Sequence, residues 1–500
     1  MHTAEAPPRP ELVDPVTADV VVVGAGIAGL SVAAELAETG RSVVVLEADR
    51  IASGVTGHTT AKLSAHHGAV YHRIEQGLGE DAARSYATWQ SQALERVEST
   101  ARALDLDCEL EYAPAFAFGQ SPDEEDLLRR EAEAAARAGL PASFVSETEL
   151  PFPVVGAVRV EGQLTFHPRK YLLGLARHLE ERGVQIFEHT RVTGLSEGEP
   201  CTVTTAGGAT VAARDVVVAT HFPIFDRSLL FGRLTPKREF AVAAPVPVDA
   251  APEGMYINVA SEKRSLRSAP YDDGHRLLIA TGSPFTPGAA STPEHAATLH
   301  TWLRESFPVG EPVFQWAAQD NHTGDQVPFI GRLHPRARRA WVATGFNGWG
   351  MSSGVVAGLL LRRLIGGERP IDARIFDPGR VHPTKEVGTV LTSGLRTAMG
   401  LVGSRVRARL TRVSSVDELA PGTAGLVNDG SGQWATYVDE DGVAHQVSPT
   451  CTHLGCRVEF NAEEREWDCP CHGSRFGLDG SLLQGPATRP LRRRDDETQE

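Results

Sequence analysis

The placement of cysteine constrains this chain more than any other feature. Only six cysteines occur in 500 residues, and four of them fall in two short boxes, CTHLGC at 451 to 456 and CPCHGS at 469 to 474. Each box pairs a cysteine with a histidine, Cys451 with His453 and Cys469 with His472. Two thiolates and two imidazoles from two loops suit a two-iron cluster in which sulfur binds one iron and nitrogen binds the other. The same four ligands also suit a tetrahedral zinc site, although zinc would leave the two further cysteines unexplained.

Both boxes, and the FGLDGSLLQGPATRPL that follows, resemble the Rieske [2Fe-2S] domain of the respiratory-complex type. The resemblance covers roughly residues 412 to 495. It implies that the cluster ligands are Cys451, His453, Cys469 and His472. It also implies a disulfide between Cys456 and Cys471, which conflicts with the reducing cytoplasm expected for this chain.

The same resemblance bears on the redox potential. In high-potential members, a serine and a tyrosine hydroxyl donate hydrogen bonds to the cluster and ligand sulfurs. Ser474 fills the first position here, whereas Phe476 stands at the second. We therefore expect a potential inside the Rieske range of roughly −150 to +300 mV but below its upper end.

A second motif lies near the N-terminal end of the sequence. From Ala18 it reads ADVVVVGAGIAGLSVAAELAETGRSVVVLEADR, which predicts a strand, a glycine-rich turn, a helix and a second strand. Gly24, Gly26 and Gly29 form G-x-G-x-x-G, and Glu47 ends the second strand. Such glycines permit a tight turn, close approach of a pyrophosphate and close helix packing, while the carboxylate binds ribose hydroxyls. The pattern predicts a dinucleotide site, and NAD and FAD share it.

Three further segments resemble the D-amino-acid oxidase-like superfamily, which includes glycine and sarcosine oxidases. They are DVVVATHFP at 215 to 223, NHTGDQVPFIGRL at 321 to 333 and ATGFNGWGMSSG at 343 to 354. The resemblance covers about residues 18 to 380 and implies FAD as the cofactor. It also implies oxidation of a C–H bond next to an amine. The flavin-contacting residues that it implies are His58, Thr59, Gly345, Gly348 and Gly350, with Asn347 and Trp349 beside the isoalloxazine.

The loop SGVTGHTTAKLSAHHG at 53 to 68 touches the flavin in that superfamily. His58 lies near the histidine that carries covalent FAD in some relatives, and ordinary hydrogen bonding is the favoured alternative. Lys62, His66 and His67 are interpreted either as solvated loop residues or as contacts to flavin or substrate. Elsewhere, Arg238 and Tyr256 are the candidates for binding a substrate carboxylate, because a bidentate arginine suits that group.

The predicted fold is α/β, a Rossmann-like FAD domain with a mixed α+β substrate domain, followed by a small all-β Rieske domain. Residues 1–17 are predicted to be disordered and 18–380 to form the flavin domain, with nucleotide-binding parts near 18–80, 150–225 and 320–370. Helices are predicted at 80 to 104 and 122 to 139. Residues 381–411 are predicted to be a linker and 412–495 the Rieske domain. DEDG at 439 to 442 predicts a hairpin turn rather than a calcium loop.

Charge and hydropathy exclude several classes of partner. The formal net charge of −15 argues against nucleic acid. No run of about 18 apolar residues or secretory signal pattern occurs, so a cytoplasmic location is predicted. The arginine-bearing amphipathic stretch at 387 to 410 is interpreted as an interdomain segment, in preference to one lying on an acidic membrane surface.

Only one dinucleotide motif is visible, so a nicotinamide-linked reductase is not favoured. The favoured function is a dehydrogenase that oxidises an amine or amino acid. Its electrons would pass through the cluster to an external quinone, cytochrome or oxygenase. The first alternative is an electron-transfer protein reduced by a partner and feeding an oxygenase or quinone. The second is a structural or redox-sensing role without turnover.

Overall fold

A computed structural model describes residues 4–225, 227, 230–288, 294–380, 411–428, 430 and 432–496. The chain divides into two compact units. The first comprises residues 1–221, 239–284 and 294–381, and the second comprises residues 222–238, 285–293 and 382–500. The second unit thus collects two segments from the middle of the chain, which the predicted boundaries near residues 380 and 412 do not anticipate.

The helices and strands follow one another in a mixed order. The helices are α1 (Ile27–Ala37), α2 (Tyr71–Leu78), α3 (Glu80–Ala103), α4 (Pro122–Arg137), α5 (Pro168–Glu181), α6 (Glu294–Ser306) and α7 (Gly350–Ile365). The strands of the first half are β1 (Val16–Val23), β2 (Val43–Leu46), β3 (Lys62–Leu63), β4 (Glu111–Tyr112), β5 (Ala115–Gly119), β6 (Ala142–Val145), β7 (Gly156–Val160), β8 (Leu164–Thr165), β9 (Gln185–Phe187), β10 (Val192–Ser196), β11 (Cys201–Thr205), β12 (Thr210–Val218), β13 (Leu234–Pro247) and β14 (Met255–Asn258). Those of the second half are β15 (Arg264–Pro270), β16 (His275–Phe285), β17 (Phe314–Thr323), β18 (Phe329–Arg332), β19 (Ala340–Thr344), β20 (Thr411–Val413), β21 (Ala424–Asn428), β22 (Gln433–Val438), β23 (Ala444–Val447), β24 (Glu459–Asn461), β25 (Glu466–Asp468), β26 (Arg475–Gly477) and β27 (Leu482–Gln484).

The dinucleotide-binding sheet has the strand order β10-β11-β12-β1-β2-β9, with β19 beside β12 and β18 beside β19. β1 is parallel to β2 and β12, and β12 is parallel to β19. Residues 20–23 and 43–46 are buried throughout, as expected for parallel strands covered on both faces. The β1–α1–β2 order confirms the predicted strand-turn-helix-strand unit and places the glycine-rich turn at the carboxyl end of β1.

Small residues bring α7 close to α1 in this unit. A Cβ atom on Gly354 would lie 2.8 Å from Ile27 Cγ2, and one on Gly358 would lie 2.8 Å from the backbone of Ser31. The helix that begins at the 345–350 turn therefore packs directly on the helix that begins at the glycine-rich turn.

A second sheet has the order β17-β13-β16-β15-β14-β5-β7-β6, and a small sheet has the order β3-β8-β4. Together with the first sheet they confirm the α/β fold with a mixed substrate part. The C-terminal part contains two four-stranded sheets, β20-β21-β22-β23 and β24-β25-β26-β27. Its core contains strand residues, among them Ala435 of β22 and Phe476 of β26. It also contains cysteines of both boxes, among them Cys451 and Cys469. The small all-β domain is thereby confirmed.

Most local predictions agree with the structure. The helices at 80 to 104 and 122 to 139 correspond to α3 and α4, and a capping box between Ser121 and Glu124 begins the latter. In DEDG, Asp439 Oδ1 accepts hydrogen bonds from the N–H groups of Asp441 and Val443, at 3.1 Å and 2.8 Å, which confirms the hairpin turn.

In residues 4–17, part of a segment where the sequence predicts disorder, some side chains contact distant parts of the chain. Leu12 is 3% exposed, Arg9 pairs with Glu180 at 2.9 Å, and β1 begins at Val16. The partners lie far along the chain, so local composition gives no sign of them. The stretch at 387 to 410 lies outside the described residues. Of the helices within the described ranges, none has the length and apolar character needed to cross a membrane.

Candidate functional site

The glycine-rich turn leaves no room for side chains. A Cβ atom on Gly29 would lie 1.8 Å from the carbonyl oxygen of Gly24, and one on Gly24 would lie 2.5 Å from that of Ala219. Gly24 also has a φ of +106°, which favours glycine. A Cβ atom on Gly26 would lie 3.0 Å from Thr56 Oγ1. The turn is therefore a cradle of bare backbone at the start of a helix, as the close approach of a pyrophosphate requires.

The groups around this cradle suit a dinucleotide. The N-cap residue of α1, Gly26, has no side chain to cap the helix, so the positive end of α1 faces the cradle. The carboxylate of Glu47 accepts hydrogen bonds from the N–H groups of Ala25, at 2.7 Å, and Asp49, at 3.0 Å. Burial raises the pKa of Glu47. Glu47 thus ends β2 beside the turn, where a carboxylate can bind ribose hydroxyls.

The loop after β2 is held by its own hydrogen bonds. Thr56 Oγ1 accepts the N–H of Ile27 at 3.1 Å. His58 Nδ1 lies 2.9 Å from the Gly54 carbonyl oxygen, and Thr59 Oγ1 accepts the N–H of Ala61 at 3.1 Å. These contacts connect the loop to the start of α1, and the covalent tether at His58 stays a prediction.

Two histidines of this loop lie in the interior. His66 is 1% exposed and His67 is 6% exposed, so the solvated alternative is wrong for both. The His67 ring stacks on Trp349, with ring centroids 4.4 Å apart and planes 18° apart. Burial lowers the pKa of His66 to about 4 and that of His67 to about 3, so both rings are neutral at pH 7. The loop therefore meets the segment predicted to lie beside the flavin.

The turn that precedes α7 is built from unusual backbone. Gly345, Asn347 and Gly348 all have positive φ, at 72°, 57° and 85°. Asn347 stabilises the turn by accepting the N–H of Thr323 at 2.9 Å and donating to the Gly345 carbonyl at 2.7 Å. α7 then begins at Gly350 without a side-chain cap. The turn thus leads into a helix whose positive end suits contact with an electron-rich ring system.

The structure places Tyr256 in a closed aromatic cluster of the first unit. Its ring stacks on Phe116 with centroids 4.6 Å apart, and its hydroxyl donates to Glu149 Oε1 at 2.8 Å. Burial raises its pKa. The hydroxyl already has a carboxylate acceptor from this chain.

Arg238 belongs to the second unit and is 0% exposed. Its guanidinium contacts Glu464 and lies 3.1 Å from both Glu466 and Asp468. Three carboxylates of its own unit therefore neutralise Arg238, which argues against the predicted role of binding a substrate carboxylate. The pairing could not be read from sequence because the partners lie more than 220 residues away.

The sequence patterns do not mark another buried arginine, Arg267. It lies two residues after Ser265 on β15, so both side chains share one face of the strand. Ser265 is 8% exposed and Arg267 is 6% exposed. The strand reads RSLRSAP, and this mixture of polar and apolar residues gives no signal of which face is buried.

The two cysteine boxes fold into two similar turns in the second unit. The N–H of Gly455 donates to the Cys451 carbonyl at 3.1 Å, and that of Gly473 donates to the Cys469 carbonyl at 3.0 Å. Gly455 and Gly473 have φ of +80° and +75°, so glycine closes each turn. Each turn thereby presents one cysteine and the histidine that follows it.

His453 and His472 come together with their ring nitrogens unused. The ring centroids are 5.0 Å apart. Within the described part of the chain, Nδ1 of His453 and both ring nitrogens of His472 are buried without a hydrogen-bond partner. Burial lowers the pKa of His453 to about 4 and that of His472 to about 3, which leaves neutral imidazoles. Buried unpartnered nitrogens are unfavourable unless they bind a metal, so the pair fits iron or zinc.

The thiols of Cys451 and Cys469 are the sulfur counterparts of these histidines. Both are buried and outside any disulfide. A hydrogen bond from Cys469 lowers the pKa of Cys451 to about 7, and the hydroxyl of Ser474 acts in the same direction. Ser474 Oγ also accepts the N–H of Ala487 at 3.0 Å. Ser474 is therefore held where its hydroxyl can donate to a ligand sulfur.

The structure joins Cys456 and Cys471 in a disulfide. The sulfurs of Cys456, Cys469 and Cys471 lie within 4.8 Å of one another. Because disulfide sulfurs are not thiolates, the thiolates available to a metal in this group of turns are those of Cys451 and Cys469.

Aromatic residues from the middle of the chain cover His472. The ring of Phe222 lies 5.7 Å from the His472 ring, and that of Phe231 lies 5.8 Å from it. His472 is 2% exposed. The segment at 222 to 238 therefore completes the surroundings of one predicted ligand, and no local sequence signal indicates this.

Two family models match the chain. The DAO model, described as FAD dependent oxidoreductase, matches residues 19–364, and the Rieske [2Fe-2S] domain model matches residues 409–494. The Rieske 2Fe-2S iron-sulfur protein YhfW of Bacillus subtilis is 30% identical over 497 residues, which cover 99% of this chain and 96% of that protein. The gamma-glutamylputrescine oxidoreductase of Escherichia coli is 26% identical over 387 residues, which cover 74% of this chain and 88% of that protein.

A solved structure shows the same fold in the flavin part. Glycine oxidase from Geobacillus kaustophilus superposes with a TM-score of 0.61 at 21% identity, over 73% of this chain and 99% of that one. The two family matches confirm FAD and a Rieske-type [2Fe-2S] cluster as the cofactors and set the zinc alternative aside. The chain belongs to the DAO family of FAD-dependent oxidoreductases and carries a Rieske [2Fe-2S] domain in its C-terminal part.

Proposed function

We propose that this enzyme oxidises the C–H bond next to the nitrogen of an amine or amino acid and passes the electrons through its Rieske domain to an external acceptor. The observation that carries the proposal is the presence, in one chain, of the glycine cradle and of His453 and His472, whose buried ring nitrogens have no hydrogen-bond partner within the described residues. An oxidase that gives both electrons to oxygen has no use for an iron-sulfur domain. A dehydrogenase that gives its electrons to a separate acceptor does need such a domain.

The net reaction removes a hydride from carbon and a proton from nitrogen. It leaves an imine, which water hydrolyses to a carbonyl compound and a free amine or ammonia. When bound, FAD supplies a two-electron acceptor and the cluster supplies a one-electron carrier. The external acceptor, a quinone, a cytochrome or a partner oxygenase, receives two electrons for each substrate molecule.

The residues of the chain bind and orient these groups. The backbone of Gly24, Gly26 and Gly29 receives the pyrophosphate, and Glu47 binds the ribose. The His67–Trp349 stack and the turn before α7 form one wall of the flavin site. In the second unit, Cys451 and Cys469 hold one iron, and His453 and His472 hold the other. Because the half-buried site of His453 and the buried site of His472 lower the pKa of each ring, both rings are neutral and ready to bind metal.

The relatives support both substrate classes. By its name, the Escherichia coli relative acts on gamma-glutamylputrescine, an amine, and the fold neighbour is a glycine oxidase. We carry both classes over to this chain only as candidates. The acceptor and the cytoplasmic location stay predictions.

An anaerobic titration tests the proposal. The full chain, loaded with FAD and iron, is mixed with sarcosine, proline, dimethylamine and pyrrolidine while flavin absorbance and the EPR signal of the reduced cluster are followed together. We expect at least one compound to bleach the flavin and to produce the cluster signal. A second titration uses NADH.

The outcomes separate the alternatives. Bleaching by NADH alone supports the electron-transfer protein reduced by a partner. Flavin that neither amines, amino acids nor NADH reduce supports a role without turnover. Either result contradicts the proposed dehydrogenase.

A further inference from the structure

Two cations of the first unit, the half-buried Lys62 and the buried Arg267, lie close to each other. The ammonium of Lys62 donates to Ser265 Oγ at 2.9 Å and to Thr60 Oγ1 at 3.3 Å. The Nε–H of Arg267 donates to the carbonyl of the same Thr60, and its Nη1 donates to the Ser268 carbonyl at 3.0 Å. Thr60 therefore contacts both cations, and Ser265 lies two residues from Arg267 on β15. Neutral oxygen atoms hold each cation in place.

No carboxylate neutralises either cation. Within the described residues, neither Lys62 nor Arg267 has a carboxylate at ion-pair distance. The acidic groups whose field reaches Arg267, Glu109 and Glu111, are already paired, Glu109 with Lys170 at 2.7 Å and Glu111 with Arg276 at 2.6 Å. A buried cation without an anion is unfavourable, and a second positive charge beside it adds repulsion. An anion that enters the site would therefore stabilise it.

The ionisation of both groups agrees with this geometry. Burial, and then the charge of Arg267, lowers the pKa of Lys62 to about 7, while Glu239 opposes that shift. Burial also lowers the pKa of Arg267 to about 10. Both shifts show that the folded chain does not compensate these charges by itself.

The cations lie on the side of the flavin-binding segments. Lys62 is on β3, which packs against α7, and the same loop carries His67, whose ring stacks on Trp349. Across the sheet, Tyr256 pairs with Leu266, so it lies on the opposite face of β15 from Ser265 and Arg267. Unlike Arg238, which carboxylates of its own unit neutralise, this pair has the geometry of a ligand site.

We propose that Lys62 and Arg267 bind the carboxylate of an amino-acid substrate. The inference rests on the proposed oxidation next to an amine nitrogen and narrows its substrate to amines that carry a carboxylate. The guanidinium accommodates two carboxylate oxygens, and the ammonium supplies a further charge-assisted hydrogen bond. Ser265 and Thr60 position Lys62 through its hydrogen bonds.

A binding experiment tests the site without turnover. Acetate and its neutral isostere acetamide are titrated into the oxidised, FAD-loaded full chain, and the change in the flavin spectrum is recorded. We expect acetate to bind and acetamide to bind about 10- to 100-fold more weakly, the factor that a charged hydrogen bond contributes. Equal affinity for both, or a response to inorganic phosphate and not to acetate, overturns the inference.

Variants locate the binding groups. Arg267→Gln and Lys62→Met are each expected to weaken acetate binding about 10- to 100-fold and to leave acetamide unchanged. Arg264→Gln is the matched control, because Arg264 lies on the same strand but on the other face and pairs with Glu262 at 3.1 Å. Unchanged acetate binding in both site variants overturns the inference. If Arg267→Gln fails to fold, Arg267→Lys, which keeps the charge, and Lys62→Met decide the question.

Paired substrates separate this inference from the proposed function. Sarcosine and proline carry a carboxylate, whereas dimethylamine and pyrrolidine are the corresponding amines without one. Reduction of the flavin by the amino acids and not by the amines supports the inference, and equal reduction by both overturns it. If no compound reduces the flavin while acetate binds as expected, the proposed function fails and the anion site stands.

Discussion

Two buried arginines of this chain, Arg238 and Arg267, have opposite electrostatic surroundings. Arg238 lies among three carboxylates of its own unit. Arg267 lies beside a second cation, Lys62, and no carboxylate of the described residues pairs with it. A buried charge is unfavourable unless something neutralises it. A completed network therefore indicates a structural role, whereas an incomplete one indicates that a ligand completes it.

The histidines of the second unit show the same contrast. His445 pairs with Asp439 at 2.9 Å near the surface. His472 has both ring nitrogens unpartnered within the described part of the chain, although it is 2% exposed. Partnering, and not burial alone, thus separates residues that stabilise the fold from residues that await a ligand. The five predictions below test this distinction, beginning with the largest expected effects.

Loss of an unpartnered histidine should remove the cluster. His453→Ala is expected to abolish the [2Fe-2S] cluster, because one iron loses half of its nitrogen ligands. Iron and sulfide analysis and the EPR signal of the reduced protein measure the loss. The matched variant His445→Ala removes a partnered histidine of the same unit and should keep the full cluster content. Equal loss of iron from the two variants would contradict the distinction between partnered and unpartnered histidines.

Removal of the neutralised arginine should destabilise the second unit. Arg238→Met leaves the three carboxylates with Arg475 but without Arg238 and is expected to cost about 3–5 kcal/mol in free energy of unfolding. Denaturant titration followed by the cluster absorbance measures it. Arg493→Met, which removes an exposed ion pair with Asp479, should cost no more than about 1 kcal/mol.

Replacement of Arg267, the buried arginine of the first unit, should lower the free energy of unfolding less than replacement of Arg238. Arg267→Met removes a buried cation that lacks an anion, so we expect a smaller cost than for Arg238→Met, roughly 1 kcal/mol or less. A cost for Arg267→Met equal to that for Arg238→Met would contradict the comparison of the two arginines.

Acetate binding should weaken as the pH rises through about 7. The pKa of Lys62 is about 7, so its ammonium is charged below that pH and is lost above it. Arg267 stays charged, and His66 and His67 stay neutral over this range because their pKa values are about 4 and about 3. We expect the Kd for acetate to rise about tenfold between roughly pH 6 and pH 8. Lys62→Met should remove this dependence, and a variant that keeps it assigns the titration to another group.

A further expected effect concerns the hydrogen bonds to sulfur. Ser474→Ala removes a donor near Cys451 and should lower the cluster potential by roughly 60 mV, the equivalent of about 1.4 kcal/mol for one electron. Phe476→Tyr should raise it by a similar amount if the added hydroxyl reaches a sulfur. Potentiometric titration followed by EPR measures both changes. Equal potentials in Ser474→Ala and the parent protein would mean that Ser474 does not donate to the cluster.

The residues that the sequence predicts well belong to short motifs. The turn at Gly24, Gly26 and Gly29 needs bare backbone, and each cysteine box sets its own turn, so spacing alone specifies the geometry. The fold class follows for the same reason, because β1, α1 and β2 are consecutive and their apolar runs are continuous.

The residues that the sequence does not predict depend on contacts between distant parts of the chain. Arg238 meets its carboxylates across more than 220 residues. Arg267 is recognisable only when the pairing of β15 shows which of its faces is buried. Leu12 is buried in a segment whose polar, proline-rich composition predicts disorder. In each case the environment of a side chain, and not its neighbours in sequence, determines its role.

The segment at 222 to 238 has a consequence for how this protein can be divided. A fragment that starts near residue 409 would contain both cysteine boxes but would lack the two phenylalanines over His472 and Arg238, one of the two arginines that pair with the three acids. Such a fragment would expose an iron ligand to water and leave the three acids with Arg475 but without Arg238. The electron carrier of this enzyme is therefore expected to need the segment at 222 to 238, and a cut near residue 409 would remove part of its own compact unit.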